Sequence, residues 1–347
     1  MSTTLVEGVV ESSTAVCDHS HTKKKILPSE IGTDYSFKRK IVWKNVFAFV
    51  VLHLGALYGL YLGFFEAKWL TIVFVWFLIF ATGEGITAGA HRLYSHKSYK
   101  ATLPLRVVLL ILQTIAGQNC MYIWARDHRQ HHKYSDTDAD PHNANRGFFF
   151  SHMGWLMSKK HPMVIAKGKT IDMSDLEADA LVMFQKKYYN PLYFFLALVF
   201  PVYLPVYLWN ETAWTALFTC YFLRYVALLH ITWTVNSIAH YYGTKPFDMN
   251  IVAVESKIVS LWAGGEGWHN YHHTFPWDYK ASEFAAPLNA TTTLIDIMAY
   301  FGLAYDMREA SISMIQKRIK RTGDGSHAIY GSKKVDDNHN NEMTKMQ

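Results

Sequence analysis

Cysteine is nearly missing from this chain: 347 residues hold Cys17, Cys120 and Cys220, with no motif spacing between them. That excludes a disulfide framework and a thiolate metal cluster. Charge is scarce too, with 18% Asp, Glu, Lys and Arg. The net charge of +6 comes without an arginine-rich reader motif, so no nucleic-acid partner is expected. No internal repeat stands out. The opening residues have no apolar core of the signal-peptide kind, so the first apolar block is expected to be an internal anchor.

Apolar residues, by contrast, make up half the chain. They fall in blocks rather than amphipathic stripes, and a bilayer-crossing helix needs about 20 such residues. Four blocks qualify: about Ile41 to Phe65, Trp69 to Ala90, Pro191 to Trp209 and Ala213 to Val235. Short turns at Phe65–Lys68 and Asn210–Thr212 pair them into two hairpins. A fifth run, Leu103 to Gly117, is interrupted by Arg106 and Gln113 and reads as a helix on the membrane surface or covered by protein. Lys23, Lys24, Lys25, Lys38, Arg39 and Lys40 precede the first span, and Lys186 and Lys187 the third. The positive-inside rule then sets both termini in the cytosol. The expected fold is an all-α integral membrane protein of four transmembrane helices in two hairpins, with a cytosolic helical cap. Residues 1–40 form a polar cytosolic segment, 41–325 the four-span domain with its cap, and 326–347 a flexible tail.

Eighteen histidines are the other excess. Three clusters stand out: His91 with His96, then His128, His131 and His132, then His269, His272 and His273. The two triplets have i, i+3, i+4 spacing, which on a helix puts all three imidazoles on one face. The hairpin topology sets every cluster on the same side of the membrane. Two triplets and a pair exceed what one tetrahedral zinc can use, so the spacing suggests more than one metal ion. Imidazole suits iron, copper, zinc or nickel alike. His53, His152 and His230 are expected to be satisfied polar residues, and His19, His21 and His339 to have no metal role.

His-Arg-Leu-Tyr-Ser-His, His-Arg-Gln-His-His and His-Asn-Tyr-His-His resemble the three boxes of the membrane-bound acyl-CoA desaturases of the stearoyl-CoA type. Trp124–Asp127, Asp138–His142, Gly147–His152, Gly265–Gly267 and Arg321–Gly325 extend the resemblance over residues 40 to 325, most closely to insect members, including those making pheromone precursors. It implies two irons held by His91, His96, His128, His131, His132, His240, His269, His272 and His273, with Asn236 reaching the metal through water. It implies a double bond introduced with dioxygen and electrons from cytochrome b5 and its reductase, into a saturated or monounsaturated long-chain acyl-CoA, at Δ9 or Δ11. The implied setting is the endoplasmic reticulum membrane. At the coenzyme A end it implies Arg126 and Asp127, with Asn45, Asn119, Lys160 and Trp233; Gln118, Trp124 and Thr232 would hold the bend in the chain. Lys159 stands where relatives often have arginine, which keeps charge but not bidentate phosphate binding. No catalytic side chain is implied beyond the metal site. His142 and His152 are expected to support the site rather than ligate.

Three positions depart from that pattern. Cys120 and Ile123 stand where relatives usually carry acids, and Glu84 puts a carboxylate inside the second span, seven residues before His91 on the same helical face. They are expected to reshape the tunnel that takes the acyl chain and to alter where the double bond is placed; for Glu84 the competing expectation is pairing with a neighbouring polar group. The competing readings are a related di-iron hydroxylase, which shares the oxidant, and a non-enzymatic membrane protein holding structural zinc.

Overall fold

The computed structural model describes residues 31–284 and 288–331; Cys17, Lys23, Lys24, Lys25, His19, His21 and His339 lie outside the described residues. The fold is mostly helical. Four helices are long and apolar enough to cross a membrane: Trp43–Phe65, Trp69–Ser95, Tyr189–Trp209 and Ala213–Tyr241. The second and fourth run beyond their apolar blocks, to Ser95 and Tyr241. Hydropathy misses these extensions because they are polar and sheathed by protein instead of lipid: His91, Arg92, Leu93, Tyr94 and Ser95 are all buried, and so are Ser237, Ala239 and His240.

Elsewhere the spans present Phe47, Leu54, Phe64, Trp76, Tyr203 and Trp214 outward, a surface made for acyl chains. The hairpins are tied at their turns. Glu211, buried in the second turn, accepts from the backbone N–H of Lys68 at 2.9 Å and from Thr71 Oγ1 at 2.6 Å. Lys68 Nζ donates in return to the carbonyls of Trp209 and Asn210. Small residues bring the first and fourth spans together: a Cβ added at Gly59 would stand 2.1 Å from the Phe218 carbonyl oxygen.

The fifth apolar run forms the helix Leu103–Ala116, with Leu105, Leu109 and Leu110 buried and Leu103, Val108 and Ile111 exposed. It ends at Gly117, whose φ of 74° lies in the left-handed region and whose missing Cβ leaves room for Tyr193 and Tyr225. The chain then turns through 84° into the helix Met121–Tyr134. Leu93, Tyr94, Leu109, Met121 and Ala125 lock this bent pair onto the polar end of the second span. A short antiparallel pairing of Lys100–Ala101 with Ala304–Tyr305 fastens the C-terminal part of the cap to the same place.

Candidate metal centre

His91 and His96 are five residues apart, which on an α-helix separates two side chains by about 140°. The second span avoids this by winding as a π-helix over Gly85–Ser95, with the His96 N–H bonded to the His91 carbonyl at 3.1 Å. The rings then meet at 5.0 Å. Nothing in the sequence analysis anticipated that winding. His128, His131 and His132 lie on Met121–Tyr134, and His269, His272 and His273 on His269–Thr274, as their spacing requires. The fourth span breaks at Ser237, and the one-turn helix Ile238–Tyr241 swings His240 inward.

All nine imidazoles converge, in two groups. His91, His96, His128, His132 and His272 form one; His131, His240, His269 and His273 form the other. Within the first, Nε2–Nε2 separations are 2.9 Å for His91–His272, 2.8 Å for His96–His128 and 2.9 Å for His132–His272. Within the second they are 3.1 Å for His240–His269, 3.0 Å for His269–His273 and 3.3 Å for His131–His273. Nitrogens bound about 2.1 Å from one metal ion at right angles stand about 3 Å apart. Burial first, and neighbouring imidazoles second, hold His96, His128, His132, His269, His272 and His273 well below the usual imidazole pKa. Neutral rings with converging lone pairs repel one another unless a cation sits between them, so the donor set fits metal.

Three carboxylates fix the rings from behind. Glu266 Oε2 faces His91 Nδ1 at 2.8 Å, Asp140 Oδ2 faces His131 Nδ1 at 2.8 Å, and Asp136 Oδ2 faces His240 Nδ1 at 3.2 Å. Each holds the proton on Nδ1 and leaves Nε2 bare for the centre. Buried Arg92 anchors Glu266 through Nε and Nη2, while its Nη1 donates to the Tyr279 carbonyl and to Thr292 Oγ1. Burial alone would raise Glu266; Arg92 and His91 outweigh it and hold the carboxyl at about 2. None of these acids stands out by its spacing in the sequence, although all three lie within eight residues of a histidine triplet.

Two cavities meet at the nitrogen clusters, sharing Trp124, His128, Thr232 and Asn236. The larger, about 380 Å³, is lined by Gln118, Asn119, Ile123, Asp127, His142 and Trp233 among others. The smaller, about 210 Å³, runs between the second and fourth spans past Ile79, Gly83, Glu84 and Ile231. At their junction Trp124 stacks on His128 at 5.0 Å, and Gln118 Nε2 donates to Thr232 Oγ1 at 2.8 Å. Asp127 accepts from Arg126 and from Lys160, both at 2.7 Å. Burial would raise its pKa, but these two cations hold it down.

Asn45 lines neither cavity; its amide donates to the Leu156 carbonyl at 2.7 Å. Lys159 lines a small neighbouring pocket with Arg39, Arg146 and Lys160. Cys120 lines neither cavity either, being buried where the second-box helix starts, so its expected part in shaping the tunnel is corrected: Ile123 and Glu84 are the wall residues. Glu84 accepts from Thr87 Oγ1 at 3.0 Å and faces Thr291 Oγ1 at 3.3 Å, so it both finds polar partners and lines the smaller cavity. His53, His230 and His152 satisfy one another in a chain of 3.0 and 2.9 Å contacts that ends on Ser237 Oγ.

Residues 67–283 match the family model for fatty acid desaturases. The acyl-CoA Delta-9 desaturase of Acheta domesticus is 56% identical over 296 residues, covering 85% of this chain and 82% of that protein. The human stearoyl-CoA desaturase is 54% identical over 290 residues, covering 84% and 80%. The acyl-CoA Delta(11) desaturase of Trichoplusia ni is 48% identical over 326 residues, covering 94% and 92%. With four membrane-crossing helices and two histidine nitrogen clusters, this chain belongs to the fatty acid desaturase family and is a membrane-embedded oxidoreductase.

Proposed function

We propose that the protein introduces a double bond into a long-chain fatty acyl-CoA, saturated or monounsaturated, at Δ9 or Δ11, using dioxygen and electrons from cytochrome b5 and its reductase. The observation that carries the reading is the position of the nitrogen clusters where two apolar cavities join. A long chain threaded through both cavities would present its middle methylenes, not its ends, to that point. Two irons bound by the nine histidines, with Asn236 beside them through water, would supply an oxidant able to break unactivated C–H bonds. Such bonds have no acidic proton, so no side-chain base serves instead.

The protein's own part is positioning. Glu266, Asp140 and Asp136 hold three rings in the tautomer that offers Nε2. Trp124, Gln118 and Thr232 would set the bend, and with it the methylene pair nearest the clusters. Arg126, Asp127 and Lys160, with Asn45, Asn119, Lys159 and Trp233 nearby, would receive the coenzyme A end. Two of the relatives named above are a Delta-9 and a Delta(11) desaturase, which supports either position. An endoplasmic reticulum setting with cytosolic termini, and a part in pheromone precursor synthesis, belong to the same reading.

Expression in a desaturase-deficient yeast, with gas chromatography of derivatised fatty acids, tests it. New unsaturated acids of defined double-bond position are expected. Hydroxylated products would turn the reading to a hydroxylase; zinc in place of iron, with no oxygen consumed, would overturn enzymatic function.

A further inference from the structure

The larger cavity holds a polar group that the mechanism leaves unused. Trp155 forms part of its wall, and its ring meets the His142 ring edge to face at 4.4 Å. The indole Nε1 of Trp155 is buried and has no hydrogen-bond partner among the described residues. His142 Nδ1, beside it, is equally unpartnered, standing 3.7 Å from Asp140 Oδ1, too far for a hydrogen bond. Buried polar atoms without partners are few in folded proteins, and each bears a desolvation cost until a partner arrives. An indole N–H donates and cannot accept, so the group missing at Trp155 is an acceptor. Asp127, the carboxylate in the same wall, is already engaged by Arg126 and Lys160.

Trp155 has a second neighbour that narrows the choice. It also lines the small pocket where Arg39, Arg146, Lys159 and Lys160 outnumber the one carboxylate, Asp140, so it stands between a net cationic pocket and an apolar chamber. A ligand with phosphates at one end and a hydrocarbon tail at the other would cross Trp155 where those two parts join. In an acyl-CoA the pantetheine arm with its two amides spans that joint and ends at the thioester, whose carbonyl oxygen is the uncharged acceptor next to the tail. We infer that Trp155 is a substrate-positioning residue whose Nε1–H donates to the thioester carbonyl oxygen of acyl-CoA, with the His142 ring fixing the indole's orientation. Held there, the carbonyl becomes the fixed point from which carbons are counted along the chain to the nitrogen clusters. The inference rests on the acyl-CoA reading above.

Equilibrium binding to the purified full chain in detergent tests it, with stearoyl-CoA and its thioether analogue S-octadecyl-CoA, in which a methylene replaces the carbonyl. The wild-type protein is expected to bind the thioester more tightly. Trp155→Phe, which keeps the ring and removes the N–H, is expected to weaken thioester binding about tenfold, or ~1.4 kcal/mol, and to leave thioether binding unchanged. Equal weakening of both ligands, or of neither, would overturn the assignment. So would equal affinity of the wild-type protein for the two, a comparison that needs no variant to fold. If the wild-type protein binds neither, the acyl-CoA reading itself has failed, and this inference with it.

Discussion

Replacing Asp140 by asparagine should separate the two nitrogen clusters. The Asp140 side chain is fully buried: Oδ2 accepts from His131 Nδ1 and from the Asp136 N–H, each at 2.8 Å, and Oδ1 accepts from the His142 N–H at 2.9 Å. An amide of the same shape keeps one oxygen and turns the other position into a donor. If its oxygen stays toward His142, the amide NH2 faces His131 and the Asp136 N–H. His131 must then move its proton to Nε2, the atom that faces His273, and its lone pair is lost to the centre. If the oxygen stays toward His131, the His142 N–H loses its acceptor. Either arrangement strands a buried polar group, at about 1–3 kcal/mol. Losing the partner behind a ligating histidine typically costs 10–100-fold in metal affinity, or ~1.4–2.8 kcal/mol.

His131 belongs to the group of four and not to the group of five. Metal content per chain, measured by elemental mass spectrometry after dialysis against graded chelator, is therefore expected to fall in two steps for Asp140→Asn, with half the metal released early. Glu266→Gln should weaken the other half, and should also destabilise the fold by leaving buried Arg92 without its carboxylate. Loss of all metal from Asp140→Asn in one early step, or unchanged retention, would refute the division into two independently supported groups.

Other perturbations give separate checks. Burial, with Glu283 adding to it, lifts the Glu255 carboxyl to about 8, against about 4.3 for a free glutamate. Between those values the folded chain holds a proton that the unfolded chain has lost, so this group's contribution falls as pH rises from 4.3 toward 8. Glu255→Gln keeps an acceptor for the Tyr271 N–H and removes the titration; its melting temperature relative to wild type should rise between pH 5.5 and 8, and a constant difference would exclude the effect. Gly59→Leu drives a side chain into the Phe218 carbonyl and should cut the yield of monodisperse protein several-fold on size-exclusion chromatography; normal yield would mean the first and fourth spans do not pack this closely. Glu84→Leu should shift the product profile in the yeast assay, because Glu84 lines the smaller cavity; an unchanged profile removes it as a determinant of double-bond position.

Much of the fold was legible because lipid imposes a simple rule: lengths of uninterrupted apolar sequence report crossings. Where protein replaces lipid around a helix, that rule goes silent. The second span past Ala90 and the fourth past Val235 are polar, so hydropathy ended them early; these extensions carry His91, Asn236 and His240, and the first of them leads directly into His96. The π-helical winding was hidden for a different reason. It coincides with a close approach of the Leu103–Ala116 helix at Gly85 and Gly89, a Cβ at Gly85 meeting the Gln113 backbone nitrogen at 2.4 Å. That contact joins residues 28 apart and has no local signature. Asp136, Asp140 and Glu266 are likewise ordinary in sequence, and become legible once a carboxylate is seen behind a ring whose other nitrogen faces the centre.

The triplet spacing holds more than its first reading took from it. Three imidazoles on one helical face do not all have to serve the same ion, because an α-helix advances about 100° per residue. Relative to the first histidine, the residue at i+4 lies about 40° to one side and the residue at i+3 about 60° to the other. The first and last rings of a triplet therefore lean together and the middle one leans away. His128 and His132 join one group while His131 joins the other; His269 and His273 join the second group while His272 joins the first. Each helix thus gives two rings to one group and a single ring to its neighbour, in opposite senses. Both helices are shared by both groups, which fixes the groups relative to each other without any dedicated bridging residue.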